Sequence, residues 1–384
     1  MTINCFILRK LFFTISFLTF AMMGAQTTFK ITEIPSDTKD NVRIFMASNL
    51  NGWKPDDSHF EFRKNEEGSY VLTIPSQSEK IEYKITQGNW DHSESDKDGN
   101  AVSNRILENS DKPQTIAIQI KGWTSAREKA HTTASNVKIL SENFSIPQLN
   151  TTRKIWIYLP PDYGTSQKKY PVIYMHDGQN LFDDFTSFSG EWSVDETLNQ
   201  IFQESGKSAI VIGIDNGGDR RLAEYSPWNN EKYKTKGEGD LYVEFLVKTL
   251  KPYIDKTYRT EKQASKTIIL GSSMGGLISL YASAKYPNTF GKAGIFSPAF
   301  WFVSKDLRKY LNINRNNLSK SRFYFVAGKN EDETMVPEIE NVQDLLLKKS
   351  VPARNIIVKI DEDGTHSESY WKRELKQGLI WLLD

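Results

Sequence analysis

Between Thr28 and Trp123 apolar and polar residues alternate in short runs. Examples are Asn41-Val-Arg-Ile-Phe-Met46, Ser69-Tyr-Val-Leu-Thr-Ile74, Ile81-Glu-Tyr-Lys-Ile85 and Gln114-Thr-Ile-Ala-Ile-Gln-Ile120. A period of two puts alternate side chains on opposite faces, which suits strands with one face buried. Turn formers separate the runs and no long helical period intervenes, so the stretch predicts a small β-sandwich. Residues 124–136, Thr-Ser-Ala-Arg-Glu-Lys-Ala-His-Thr-Thr-Ala-Ser-Asn, carry no apolar period and predict a linker.

From Val137 the pattern changes to alternating strands and helices. Strands are expected at Lys154–Leu159, Pro171–Met175, Ala209–Ile214, Thr267–Leu270, Lys292–Phe296, Phe323–Ala327 and Asn355–Ile360. Helical periodicity falls between them at Ser193–Gln203, Asp240–Ile254, Met274–Ala284, Val336–Lys348 and Ser367–Leu382. The strand runs are apolar on both faces, as in a sheet covered on both sides. The fold class is therefore α/β, a doubly wound and mostly parallel sheet preceded by the small β-sandwich.

The N-terminus differs from both regions. Arg9 and Lys10 precede an apolar run from Leu11 to Met23, then Gly24-Ala25. A basic start, a short apolar stretch and a small-residue end predict a secretory signal over residues 1–25. The run is short for a membrane-spanning helix. The expected organisation is thus leader 1–25, β-sandwich 26–123, linker 124–136 and α/β domain 137–384, with a secreted or periplasmic location.

Composition then narrows the chemistry. The 384 residues include 49 basic and 48 acidic side chains, a net charge of +1, and no basic block. That balance argues against a nucleic-acid partner, and loss of the leader leaves no membrane anchor. The one cysteine, Cys5, lies in the leader, which excludes an internal disulfide framework and a cysteine metal site. Asp361-Glu-Asp-Gly364 and Asp96-Lys-Asp-Gly99 lack a full calcium-ligand pattern and read as turns. No metal or organic cofactor is expected.

Chemistry concentrates in Gly271-Ser272-Ser273-Met274-Gly275. It follows an apolar strand and opens a helix, the context of a nucleophile elbow, in which the serine sits on a strained turn at a helix N-terminus. A serine needs a base and an orienting acid, and in this architecture the chain order is serine, acid, histidine. Of five histidines only His366 lies downstream of Ser273. The acid is expected after the strand Phe323–Ala327, in Gly328-Lys-Asn-Glu-Asp-Glu-Thr334, where Glu331, Asp332 and Glu333 are all candidates, Glu331 first and Asp332 next. The competing explanation is that these carboxylates solvate the loop or cap the helix near Val336. The turn His176-Asp-Gly-Gln179 is placed to aim an N–H of Gly178 or Gln179 opposite the Met274 N–H, forming an oxyanion site. His176 and Asp177 themselves read as turn-stabilising residues.

These segments resemble the esterase D-like branch of the α/β-hydrolases, which includes feruloyl and other polysaccharide-acyl esterases and enterochelin (siderophore) esterases. The resemblance covers about 150–384. It rests on His176-Asp-Gly-Gln-Asn-Leu-Phe182, Gly213-Ile-Asp-Asn216, Glu224-Tyr-Ser-Pro-Trp228, Tyr253-Ile-Asp-Lys-Thr-Tyr-Arg-Thr260, Gly271–Gly276 and Gly364-Thr-His-Ser367. It implies Ser273 as nucleophile, His366 as base and an acid from 331–332. It also implies Ser297-Pro-Ala-Phe-Trp301 beside the substrate, with Phe300 and Trp301 able to stack on an aryl or sugar group, and Glu224 and Arg221 along the cleft. Core packing of Phe300 and an ion pair between loops are the competing explanations.

The β-region is similar to glycogen- and starch-binding modules of immunoglobulin-like early-set fold. The similarity lies in Ala47-Ser-Asn-Leu-Asn-Gly-Trp-Lys54, Tyr83-Lys-Ile-Thr-Gln-Gly-Asn-Trp90 and Asn104. It implies Trp53, Lys84, Trp90 and Asn104 as glycan contacts, although siderophore esterases carry a domain of like fold without that role. The expectation is a secreted serine carboxylesterase acting on a feruloyl or acetyl ester of a polysaccharide. A siderophore trilactone esterase is the alternative. A non-catalytic carbohydrate-binding protein on a hydrolase scaffold is the alternative from another class.

Overall fold

The structure, a computed structural model, describes residues 25–384 apart from 78–79, 98, 100–101, 103, 109, 111, 125–129, 188–189 and 330. The expected leader lies outside the described residues except for Ala25. The chain divides into two units, at Thr124/Ser125.

The first unit contains β1 (Gln26–Glu33), β2 (Ile44–Ser48), β3 (Glu61–Lys64), β4 (Tyr70–Pro75), β5 (Ile81–Thr86), β6 (Glu94–Ser95), β7 (Arg105–Leu107), β8 (Gln114–Gln119) and β9 (Gly122–Trp123). Seven of them hydrogen-bond in the order β7-β5-β2-β3-β4-β1-β8, and β6 pairs with β9. Strands β1 and β5 are four places apart in that order, which in a flat sheet means about 19 Å. Yet the Phe29 and Tyr83 rings they carry meet at 5.2 Å. The sheet therefore folds over itself into a sandwich around Phe29, Ile44, Met46, Phe62, Leu72, Ile85 and Ile118.

The second unit has β10 (Val137–Ile146), β11 (Thr151–Tyr158), β12 (Val172–His176), β13 (Ile210–Ile214), β14 (Thr267–Ser272), β15 (Lys292–Phe296), β16 (Arg322–Gly328) and β17 (Ile356–Asp361). Its helices are α1 (Val194–Ser205), α2 (Arg221–Glu224), α3 (Gly239–Phe245), α4 (Lys251–Thr257), α5 (Met274–Lys285), α6 (Ser304–Ile313), α7 (Met335–Lys348) and α8 (Glu368–Leu383). The eight strands order as β10-β11-β13-β12-β14-β15-β16-β17. β12 to β17 run parallel, while β10 and β11 join antiparallel at one edge. This is the doubly wound α/β-hydrolase arrangement.

Every residue of β12, β13, β14 and β15 is buried, because helices cover both faces. α1 and α8 pack on one face with Leu198, Ile201, Leu375 and Leu379. α3, α5, α6 and α7 pack on the other with Phe245, Leu277, Leu307 and Ile339. Each fully buried Leu, Ile or Phe contributes about 1.5–3 kcal/mol of transfer free energy. The helix expected at Asp240–Ile254 is α3 and α4 joined by a π-turn at Leu246–Leu250. Pro252 follows at once; it lacks an N–H and its ring crowds the preceding turn, which the wider π-turn relieves.

Two features depart from the sequence expectation. Residues 131–136, read as linker, bind the second unit: the Thr132 and Ala134 N–H groups donate to Asp183 and Asp195, and Asn136 Nδ2 donates to the Leu159 carbonyl. β10 follows directly, and its register with β11 shifts between Ile139, Ser141 and Phe144, so its alternation is broken in the sequence.

Candidate active site

The connections leave β12 toward β13 on one side and reach β14 on the other. In such sheets the crevice forms at this switch point, outside the carboxyl ends of the strands. Asp177 follows β12, Ser273 follows β14, Ser297 follows β15, Glu331 follows β16 and His366 follows β17. Parallel pairing thus delivers all five to one edge of the sheet.

Ser273 has φ 55° and ψ −122°, the strained conformation that an elbow imposes. The turn is tight. A Cβ on Gly271 would lie 2.9 Å from the Gly275 carbonyl carbon and from His176 Cδ2, so only glycine fits there. α5 starts at Met274, whose N–H has no intrahelical acceptor. Eleven of the twelve α5 residues are buried, and its hydroxyls are satisfied internally: Ser279 Oγ donates to the Gly275 carbonyl and Ser283 Oγ to that of Phe290. Leaving one such buried group unpaired costs about 1–3 kcal/mol, so the helix that presents Ser273 is rigidly seated.

His366 and Glu331 come together. His366 Nδ1 lies 2.8 Å from Glu331 Oε2, with the carboxylate only 1% exposed and the imidazole 41% exposed. Burial acts to depress the imidazole, but hydrogen bonding and charge from Glu331 override it and raise its pKa above the ordinary value. With Nδ1–H held by the carboxylate, Nε2 is left as the proton acceptor. Ser273 Oγ and the imidazole do not hydrogen-bond to each other here; such contacts commonly tighten only when substrate binds. Asp332 goes elsewhere: its Oδ1 accepts from the N–H groups of Thr334 and Met335 at the start of α7, a cap.

Glu331 is further secured through residues that sequence reasoning left without a role. Oε1 accepts from the Gly328 N–H at 2.6 Å and from Ser297 Oγ at 2.7 Å. Trp371 Nε1 donates in turn to Ser297 Oγ at 2.8 Å. Ser297 lies in the Ser-Pro-Ala-Phe-Trp block directly after a strand, the one sequence signal that could have marked it.

On the opposite side, Asp177 has φ 57° and begins the short turn Gly178–Asn180. Its carboxylate is held by Arg221 Nε at 2.7 Å, Arg221 Nη2 at 2.9 Å and Asn216 Nδ2 at 2.8 Å. The Gln179 side chain and carbonyl accept from the Asn216 N–H and from Thr186. His176 is buried beneath the elbow with Nδ1 2.9 Å from the Tyr242 hydroxyl. Burial pushes its pKa down to about 4, so it is neutral at working pH.

The flanking residues divide. Trp301 is 41% exposed and its ring stands 5.9 Å from Tyr233, an aromatic rim that the sequence did not disclose through Tyr233. Phe300, expected beside substrate, is instead fully buried against Phe325; core packing claims it. Glu224, expected along the cleft, is also fully buried, with both oxygens on Arg153 Nη2 at 2.8 and 2.7 Å. That ion pair leaves it nothing to offer a ligand.

In the first unit, Trp53 and Trp90 stand 6.5 Å apart at 36°, both half-buried, and Asn104 is exposed. Lys84 Nζ donates to the Val102 carbonyl, and burial lowers its pKa. The glycan-contact expectation for Lys84 thus meets an amine already engaged within the fold.

Of the aspartates near Gly364, Asp361 accepts from the Tyr370 hydroxyl and Asp363 pairs with Arg373. Among the described residues, Glu191, Asp195 and Glu196 bring three carboxylate oxygens within 4.8 Å of one another. Burial of Asp195, reinforced by Glu196, raises its pKa well above the carboxylate range, which favours its protonated form.

The strained serine and the carboxylate-held imidazole lie at the same carboxyl edge of an α/β-hydrolase sheet. The family model described as Putative esterase matches residues 146–382, and the chain belongs to that family of carboxylic ester hydrolases. YbbA of Bacillus subtilis, an uncharacterized protein, is 26% identical over 243 residues, which are 60% of this chain and 92% of the relative. Iron(III) enterobactin esterase of Escherichia coli K12 is 25% identical over 239 residues, 61% of this chain and 54% of the relative. The chain thus matches about half the length of that esterase. The solved enterochelin esterase from Shigella flexneri is similar in fold, with a TM-score of 0.55 at 15% identity over 93% of this chain and 91% of that one.

Proposed function

We propose that the chain is an exported serine esterase that cleaves an ester on a polysaccharide, feruloyl or acetyl, through an acyl-enzyme. The observation that carries the reading is the 2.8 Å contact between His366 and a buried Glu331 at the same sheet edge as the strained Ser273. Ser273 Oγ attacks the ester carbonyl while His366 Nε2 takes its proton, and Glu331 stabilises the imidazolium that forms. The N–H of Met274 and one from the Gly178–Gln179 turn stabilise the oxyanion, each worth about 3 kcal/mol. The imidazolium then protonates the departing alcohol, and water releases the acid by the reverse sequence.

The exposed Trp301 supports an aryl-bearing acyl group, which it would stack upon. Export rests on the basic-apolar-small pattern of residues 1–25. Glycan attachment rests on the Trp53–Trp90 pair. A second reading, a catecholate trilactone esterase, is supported by the identity with enterobactin esterase and by a fold likeness that spans 93% of the chain.

Labelling with a fluorophosphonate tests the chemistry: modification at Ser273 of the folded protein is expected, and none would sink the serine mechanism. Parallel assays with methyl ferulate, acetylated xylan and a catecholate trilactone test the substrate. Turnover of the trilactone alone would replace the polysaccharide reading with the second one.

A further inference from the structure

Glu331 needs its Oε2 aimed at His366, and the structure shows what holds it there. Trp371 Nε1 is a donor only, and it donates to Ser297 Oγ at 2.8 Å. The serine hydroxyl, occupied as an acceptor, turns its own proton to Glu331 Oε1 at 2.7 Å. The Gly328 N–H supplies the second donor to the same oxygen. Oε1 is thereby saturated by donors and Oε2 is left for the imidazole. Trp371 is 4% exposed, and its ring stands edge-on to His366 at 5.1 Å and 82°, so one indole braces both members of the acid–base pair. Ser297 is held at φ 39°, a strained conformation that surrounding structure must enforce.

We infer that Trp371 and Ser297 form a positioning relay that fixes the acid of the site, given the reading of Ser273, His366 and Glu331 above. The two hydrogen bonds act in series: Trp371 orients the hydroxyl, and the hydroxyl orients and partly neutralises the carboxylate. Loss of the Ser297 donor concentrates charge on Oε2, which stabilises the imidazolium more strongly. Glu331, Glu368 and Asp332 are the charged groups that act on His366, and none of them is substituted in the test, so only the charge distribution on Glu331 changes.

The test uses full-length Ser297→Ala, Trp371→Phe and the double variant, assayed on a soluble aryl ester across pH. Ser297→Ala is expected to lower kcat about 10- to 100-fold with KM nearly unchanged. The acid limb of its kcat/KM profile should rise by roughly half a pH unit. Trp371→Phe should move both in the same direction by less. The double variant should be no worse than Ser297→Ala, because links in series do not add. An unmoved or lowered limb in Ser297→Ala, or costs that add, overturns the relay. Ser297→Cys, a weaker donor, should recover part of the rate. If Ser297→Ala does not fold, the limb of Trp371→Phe decides by the same criterion. Wild-type fluorophosphonate labelling separates the two readings: absent labelling removes the serine mechanism, whereas labelling with unmoved limbs removes the relay alone.

Discussion

At the scale of single residues, the serine hydroxyl and the carboxylate have separable effects. Ser273→Ala removes the nucleophile without touching the buried face of α5. Hydrolysis should fall by 10⁴-fold or more, on the order seen for triad nucleophiles, with unchanged thermal unfolding. Glu331→Gln acts through the imidazole. His366 is raised above its ordinary pKa by Glu331, so removing that charge should move the acid limb of kcat/KM to lower pH while the maximum falls. A limb that stayed in place would mean that another group sets it. Ser273 and His366 stand out in the sequence because chain order and the elbow motif leave one candidate for each, and the structure gives Ser273 the elbow conformation and His366 a carboxylate partner. Glu331 and Asp332 were not separable in sequence. Which of two adjacent carboxylates reaches His366 depends on how the loop after β16 turns, and Asp332 turns back to cap α7.

At the scale of elements, the buried parallel strands were readable because both faces are apolar, and their observed bounds differ from expectation by a residue or two. β10 was hidden because its register shifts break the alternation. The arm at residues 131–136 was hidden because it is tied by backbone N–H groups to carboxylates, contacts that leave no apolar period. One of those carboxylates yields a prediction. Asp195 is raised well above the carboxylate range by burial and by Glu196. The folded state therefore holds a proton that the unfolded chain releases near pH 4, and stability from this site declines as pH rises above that point. Asp195→Asn keeps an acceptor for the Ala134 N–H and removes the charge. Its melting temperature should exceed wild type by more at pH 8 than at pH 5; an equal difference at both would refute the raised Asp195 pKa.

Also at this scale, Gly328 ends β16 and Gly364 follows β17. A Cβ on Gly328 would lie 2.1 Å from the Gly364 carbonyl oxygen. Gly328→Ala must push the two loops apart, at a cost of about 1–3 kcal/mol or more. Because one loop carries Glu331 and the other His366, activity should fall with stability, measured by denaturant melts beside initial rates.

At the scale of the molecule, the described residues contain no cysteine, since the chain's one cysteine is Cys5. No disulfide contributes to the stability of the described residues, and dithiothreitol should leave the melting temperature unchanged. The units should also divide their work. Trp90→Ala is expected to reduce retention on insoluble starch or xylan while the rate on soluble methyl ferulate stays at the wild-type value. Equal retention of the two proteins would remove the glycan role of the first unit.

The backbone contact at Gly328 and Gly364 has a consequence for how the substrate range of such an enzyme can change. It ties the loop that carries Glu331 to the loop that carries His366, with no room for a side chain at the contact. Change in substrate range is therefore expected in segments away from this contact rather than in the two loops that it joins.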